Sequence, residues 1–185
     1  MSRASRGVPA LLALVPLALL SATTTHDGGA APASMTTAQI LEIGATINHF
    51  SYHWGGSAWK PGSTDWGKCK PLSGGGCPSC SHSGTWGADC SGFVGKAWQV
   101  PSPIALTTPS HPYVASNWTS DGAYWNPVSR GSAKAADAWA SSHHVWLFEK
   151  GDPWGYAWSW ECSGCTAGCL HMNRSTSGYS VARRI

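Results

Sequence analysis

Seven cysteines occur in this 185-residue chain, and one of them has no cysteine neighbour. Cys69, Cys77 and Cys80 lie together, Cys162, Cys165 and Cys169 lie together, and Cys90 stands between them in TWGADCSGFVGKAW, residues 85–98. A cysteine left out of disulfide pairing is a candidate nucleophile. Its chemistry then requires a base to take the thiol proton and a polar group to hold that base. Phe93, Val94, Ala97 and Trp98 follow at helical spacing, which predicts a short helix beginning at or just after Cys90, with Asp89 and Ser91 at its N-terminal end. The helix dipole and the unpaired backbone N–H groups of a first turn favour thiolate over thiol. The Cys90 pKa is therefore expected below the ~8.5 of a free cysteine.

The run HHVWLFEK, residues 143–150, supplies the base. It is β-branched and aromatic in the manner of a strand, and alternation puts His144, Trp146 and Phe148 on one face and His143, Val145 and Leu147 on the other. YAWSWECS repeats that character after the turn KGDPWG, so two adjacent antiparallel strands are predicted. Taken singly, Cys90 reads as a small buried hydrophobe and His144 as a satisfied histidine at a strand edge. The set is what points to catalysis.

The elements that must position these groups are legible in part. TTAQILEIGATINHF has Thr36 and Gln39 in a capping-box arrangement, with Ile40, Ile43, Ile47 and Phe50 at helical spacing. Residues 57–86 are rich in Gly, Ser, Pro and Cys without a period and read as a loop that disulfides hold in place. PSPIALTTPSHP, with four prolines in twelve residues, excludes regular structure. Helix, cysteine-bearing helix and then paired strands make an α+β order.

Residues 1–24, with Arg3 and Arg6 ahead of an apolar run from Val8 to Leu20, read as a signal peptide, and residues 25–35 as a flexible lead-in. Residues 36–185 then form a single domain, secreted or periplasmic, with no stable membrane insertion once the leader is cleaved. Without Arg3 and Arg6 the chain carries ten Lys/Arg against nine Asp/Glu, scattered along it, which excludes the footprint of a nucleic-acid binder. In an exported chain the six clustered cysteines read first as three disulfides. A zinc knuckle built from Cys77, Cys80, Cys162 and Cys165 is the alternative. Among the twelve tryptophans, Trp54 and Trp98 read as core, while Trp154, Trp158 and Trp160 are placed to line a groove for a sugar or peptide.

YHWGG, GADCSGFV and HHVWLFE, in that order, resemble the three motifs of the NlpC-type cell-wall cysteine peptidases, a branch of the papain-like fold. The resemblance extends roughly from Ile40 to Glu161 and rests on about twenty positions. It implies an α+β fold in which a nucleophile-bearing helix packs on a small antiparallel sheet. It also implies Cys90 as nucleophile, His144 as general base, and Tyr52 helping the Cys90 backbone N–H to hold the oxyanion. The orienting position, often a second histidine in that family, falls on Glu161 here, with His171 as fallback. A carboxylate there fixes the imidazole tautomer and stabilises its charged form. Asp89 and Ser91 beside the nucleophile, and Trp154 and Trp158, are the expected substrate contacts. Two departures surround the cleft: a long loop at residues 57–86 bearing three cysteines, and Ala136-Asp137 where Gly-Asp is common.

The implied activity is hydrolysis of an amide bond in peptidoglycan stem peptides through an acyl-enzyme, by a monomer without metal or organic cofactor. The same site would serve an N-acetylmuramoyl-L-alanine amidase, another amidase or an acyltransferase. A disulfide-stapled wall-binding module with a retired site is the reading from another class.

Overall fold

A computed structural model describes residues 34–72 and 76–185. The expected signal peptide, and the lead-in up to residue 33, lie outside the described residues. Among the described residues no helix is long and apolar enough to cross a membrane.

The first element of the described residues is α1 (Thr37–Ala45), where Thr36 Oγ1 accepts from the Gln39 backbone N–H and Gln39 Oε1 accepts from the Thr36 N–H, closing the capping box. Beyond Ala45 the chain continues in turns to His49, whose φ of 76° reverses its direction. The predicted loop over residues 57–86 contains β1 (Ser57–Ala58) and an antiparallel hairpin of β2 (Lys68–Pro71) with β3 (Cys80–Ser83). Strand β4 (Gly87–Ala88) pairs with β1 and leads directly into α2 (Cys90–Ala97). The second half of the chain contributes β5 (Trp125–Val128), β6 (Ala138–Ala140), β7 (Val145–Gly151), β8 (Tyr156–Gly164), β9 (Gly168–Ser175) and β10 (Ser180–Arg184). These form one antiparallel sheet in the order β5-β10-β6-β7-β8-β9.

This architecture corrects the expected papain-like arrangement of a helix packed on a small sheet. The described residues are mostly β, with a six-stranded antiparallel sheet and two short α-helices of nine and eight residues. Strands β5, β6 and β10 have only three to five residues, too few to display a period of two. Strand β9, GCLHMNRS, has little apolar alternation of its own and is held by main-chain pairing along the length of β8.

The sheet separates two clusters of buried side chains. One face carries Val145 and Leu147 with Trp59, Phe93, Val94 and Trp98, beneath α1 and α2. The other carries Trp139, Trp146, Phe148, Ala157 and Val181, with the Arg130 guanidinium 5.0 Å above the Trp139 ring. Strand β7 thus alternates between the two. Five tryptophans, Trp59, Trp98, Trp118, Trp139 and Trp146, are fully buried, whereas Trp54, read as core, is 54% exposed. Gly55 and Gly56 turn the chain immediately after it and leave its ring in solvent.

Two disulfides staple this frame. Cys162–Cys169 crosses between directly opposed residues of β8 and β9, and Cys69–Cys165 ties the β2–β3 hairpin to the turn that joins β8 to β9. They close sequence separations of 7 and 96 residues, so chain entropy makes the second worth about 2 kcal/mol more than the first. Replacing Cys69 and Cys165 together by serine is therefore expected to lower the urea midpoint further than the same change at Cys162 and Cys169. An equal or reversed order would show that the denatured chain is not what these bonds restrain.

Candidate active site

Cys90 is the first residue of α2, and Asp89 is its N-cap: Asp89 Oδ1 accepts from the Gly92 backbone N–H at 2.7 Å and from Ser91 Oγ at 2.9 Å. Asp89 Oδ2 accepts from the Gly55 N–H at 2.9 Å and lies 3.3 Å from His111 Nε2. Asp89 and Ser91, expected at the substrate, are buried at 7% and 4% exposure, and their polar atoms are engaged in building the first turn. The carboxylate thus fixes the helix start, the glycine turn after Trp54 and the segment carrying His111 around the cysteine.

Cys90 belongs to neither disulfide and is 6% exposed. Burial pushes its thiol up to about 11, and the Asp89 charge adds to the rise. Hydrogen bonds from the backbone N–H groups of Val145, Ser91 and Cys90 act in the opposite sense and are outweighed. This reverses the expectation of a lowered pKa. The helix terminus is there, but desolvation exceeds its effect, and the resting group is a thiol.

The Val145 N–H acts on the sulfur, which puts Cys90 at the start of β7, the strand that His144 precedes in sequence. His144 immediately precedes the strand, its backbone N–H donating to Ser141 Oγ at 3.1 Å. Its Nε2 lies 2.7 Å from Glu161 Oε2. Strand register accounts for the meeting: Leu147 pairs with Trp160, so Glu161 points to the same face as Trp146 and His144. With Nε2 engaged by the carboxylate, Nδ1 is the ring nitrogen left for proton exchange with a thiol.

Glu161 is fully buried. Burial pushes its carboxyl up, but the hydrogen bond with His144, the charges of Arg174 and His144, and the Ser159 hydroxyl together hold it below the usual range. Ser159 Oγ donates to Oε1 at 2.7 Å, and Arg174 Nη1 donates to Oε2. Arg174 also donates from Nη2 to the Tyr179 hydroxyl, and its guanidinium lies 5.4 Å from the Trp146 ring centre. The Tyr179 ring stands edge-on to His144, with ring centres 6.4 Å apart. Ser159, Arg174 and Tyr179 escaped the sequence reading. Ser159 alone left a signal, two residues from Glu161 on one strand, whereas Arg174 and Tyr179 arrive through β9 and the turn before β10, neither of which was predicted.

Tyr52 is buried and bridges to Ala88, beside β4. Burial raises its hydroxyl pKa, and the neighbouring Cys90 and Asp89 raise it further, so it stays protonated and available as a donor. His171, the fallback orienter, instead pairs through Nε2 with Glu149 at 2.8 Å and stacks between Trp158 and Trp160. Trp154 is 73% and Trp158 41% exposed. Trp158 and Trp160 lie on the face of β8 opposite to Glu161, and Trp154 lies in the turn between β7 and β8.

Comparison of the chain with protein-family models, curated proteins and solved structures gave no match.

Two expectations concern titration. Alkylation of Cys90 in the native protein should be slow at neutral pH and rise toward pH 11, as mass mapping of iodoacetamide adducts would reveal. A plateau reached at mildly acidic pH would mean a preformed thiolate. Glu161 has a lowered folded pKa, so its contribution to stability is fully present above the ordinary carboxylate value of 4.5 and is lost as pH falls through the lower folded value. Glu161→Gln should flatten that acid limb of the stability curve, read as urea midpoint against pH. An unchanged limb would place the acid sensitivity in another group.

Proposed function

We propose that the protein is a cysteine hydrolase of amide bonds, with Cys90 as nucleophile, His144 as general base and Glu161 as the group that orients His144. The pairing of His144 Nε2 with a buried, ionised Glu161 carries this reading, because it leaves Nδ1 as the base and prepares the ring to hold a positive charge. The raised Cys90 pKa favours proton transfer during attack over a resting ion pair. In this scheme Nδ1 takes the thiol proton as sulfur bonds to the carbonyl carbon. The oxyanion is held by first-turn N–H groups and the Tyr52 hydroxyl. The C–N bond breaks as His144 returns the proton to the departing amine, leaving a thioester. Water then attacks with His144 as base, releasing the acid and restoring the thiol.

The resemblance of the three motifs to NlpC-type peptidases points to peptidoglycan stem peptides as substrate, outside the cytoplasm. The two disulfides are compatible with that location. Burial of Cys90 favours a second reading, a wall-binding module in which the cysteine is inert packing.

Purified muropeptides incubated with the protein and weighed by mass spectrometry decide between these readings. Cleavage should fall by roughly 10³-fold or more in Cys90→Ala and in His144→Ala, and the double variant should lose little more than either, as for groups acting as a unit. Glu161→Gln should retain more activity than Cys90→Ala. Binding of muropeptides without cleavage by the unaltered protein would favour the inert module.

A further inference from the structure

Four cysteines outside the candidate active site converge from three parts of the chain. Cys69 lies on β2, Cys77 and Cys80 bracket the turn into β3, and Cys165 lies in the turn between β8 and β9. The sulfurs of Cys69, Cys77 and Cys80 all lie within 4.8 Å of one another. Cys165 is brought to the same point by its bond to Cys69, and Cys77 and Cys80, both thiols, have their sulfurs 2.9 Å apart. A tetrahedral thiolate site needs four sulfurs about 2.3 Å from a common centre, two of them typically from a C-x₂-C turn. Cys77-Pro78-Ser79-Cys80 is such a turn, and Cys69 and Cys165 provide the other pair. Cys162, the fourth ligand expected from sequence spacing alone, is bound to Cys169 instead.

We propose that Cys69, Cys77, Cys80 and Cys165 form a zinc site that is available when the Cys69–Cys165 bond is reduced, and that exchanges with the disulfide form. With the bond closed, two thiols remain, too few for a structural site. A dithiol reductant delivers two electrons and two protons to the bond and is itself oxidised to its disulfide, leaving four thiols. Zinc(II) then binds four thiolates and displaces four protons, with no further change of oxidation state. Either state ties the β2–β3 hairpin to the β8–β9 turn, so the same clamp serves in a reducing or an oxidising compartment. The three sulfurs Cys69, Cys77 and Cys80 are half-buried, which gives an ion a route in.

The test uses the full chain treated with a dithiol, freed of reductant without air and titrated with zinc alone. One equivalent should bind with a Kd of about 10 nM or tighter. Cobalt(II) in place of zinc should give the intense visible bands of a tetrahedral thiolate complex. Chelator should expose the four site thiols to alkylation, and mass mapping should place the labels on Cys69, Cys77, Cys80 and Cys165. Cys80→Ser should weaken binding about 100-fold or more. The double change Cys162→Ser, Cys169→Ser should leave binding intact, and its loss with retention in Cys69→Ser would favour the knuckle containing Cys162 and overturn this ligand set. If a substitution prevents folding, zinc protection of the unaltered chain's thiols decides instead. Failure of the reduced, unaltered protein to bind zinc or cobalt overturns the proposal. None of these readouts depends on hydrolysis.

Discussion

A fully buried carboxylate is costly unless every lone pair finds a partner, and Glu161 imposes that condition on the second half of this molecule. One of its oxygens takes the Ser159 hydroxyl, and the other takes His144 and Arg174. These partners come from β8 itself, from the residue before β7 and from β9, so three strands must be in register before the charge is satisfied. The β8–β9 pairing and the Cys162–Cys169 bond enforce that register. Arg174 prevents the carboxylate from being neutralised by a proton, and Tyr179 and Trp146 hold Arg174 in turn. His144 therefore sits against a carboxylate held ionised to lower pH than usual, which in the proposed mechanism favours its taking the thiol proton.

Asp89 plays the corresponding part for the cysteine. It fixes the first turn of α2 with one oxygen and gathers Gly55 and His111 with the other. Its charge also works against ionisation of the thiol it positions. Placement and ionisation thus pull in opposite directions at Cys90, and in the proposed mechanism activation falls to His144. The raised thiol pKa is the reason the proposed mechanism transfers the proton as the carbon–sulfur bond forms.

The parts of this arrangement that local chemistry dictates were legible in the sequence. The capping box at Thr36, the helix from Cys90, the strand after His144 and the alternation separating Val145 from Trp146 each follow from residue type and short spacing. Glu161 was readable as a polar residue on a neighbouring strand. What was not legible depends on pairing at a distance. Strands β5, β6, β9 and β10 lack a local signature, so the sheet was expected to be small, and the partners they carry, Arg174 above all, were missed. The cysteine pairing was equally hidden, because only the fold brings Cys69 to Cys165 and leaves Cys162 opposite Cys169. The thiol pKa was misjudged for a related reason: the helix terminus can be read from sequence, but the depth of burial cannot.

The central claim is that Cys90 sulfur becomes covalently bonded to the acyl part of a substrate. Rapid mixing of the protein with a muropeptide, an acid quench after milliseconds to seconds and intact mass spectrometry test this directly. The account predicts a transient mass increase equal to the acyl fragment, mapped by proteolysis to the peptide containing Cys90 and removed by hydroxylamine as a thioester is. Product released with no adduct at any time, and at an undiminished rate from Cys90→Ala, would contradict it.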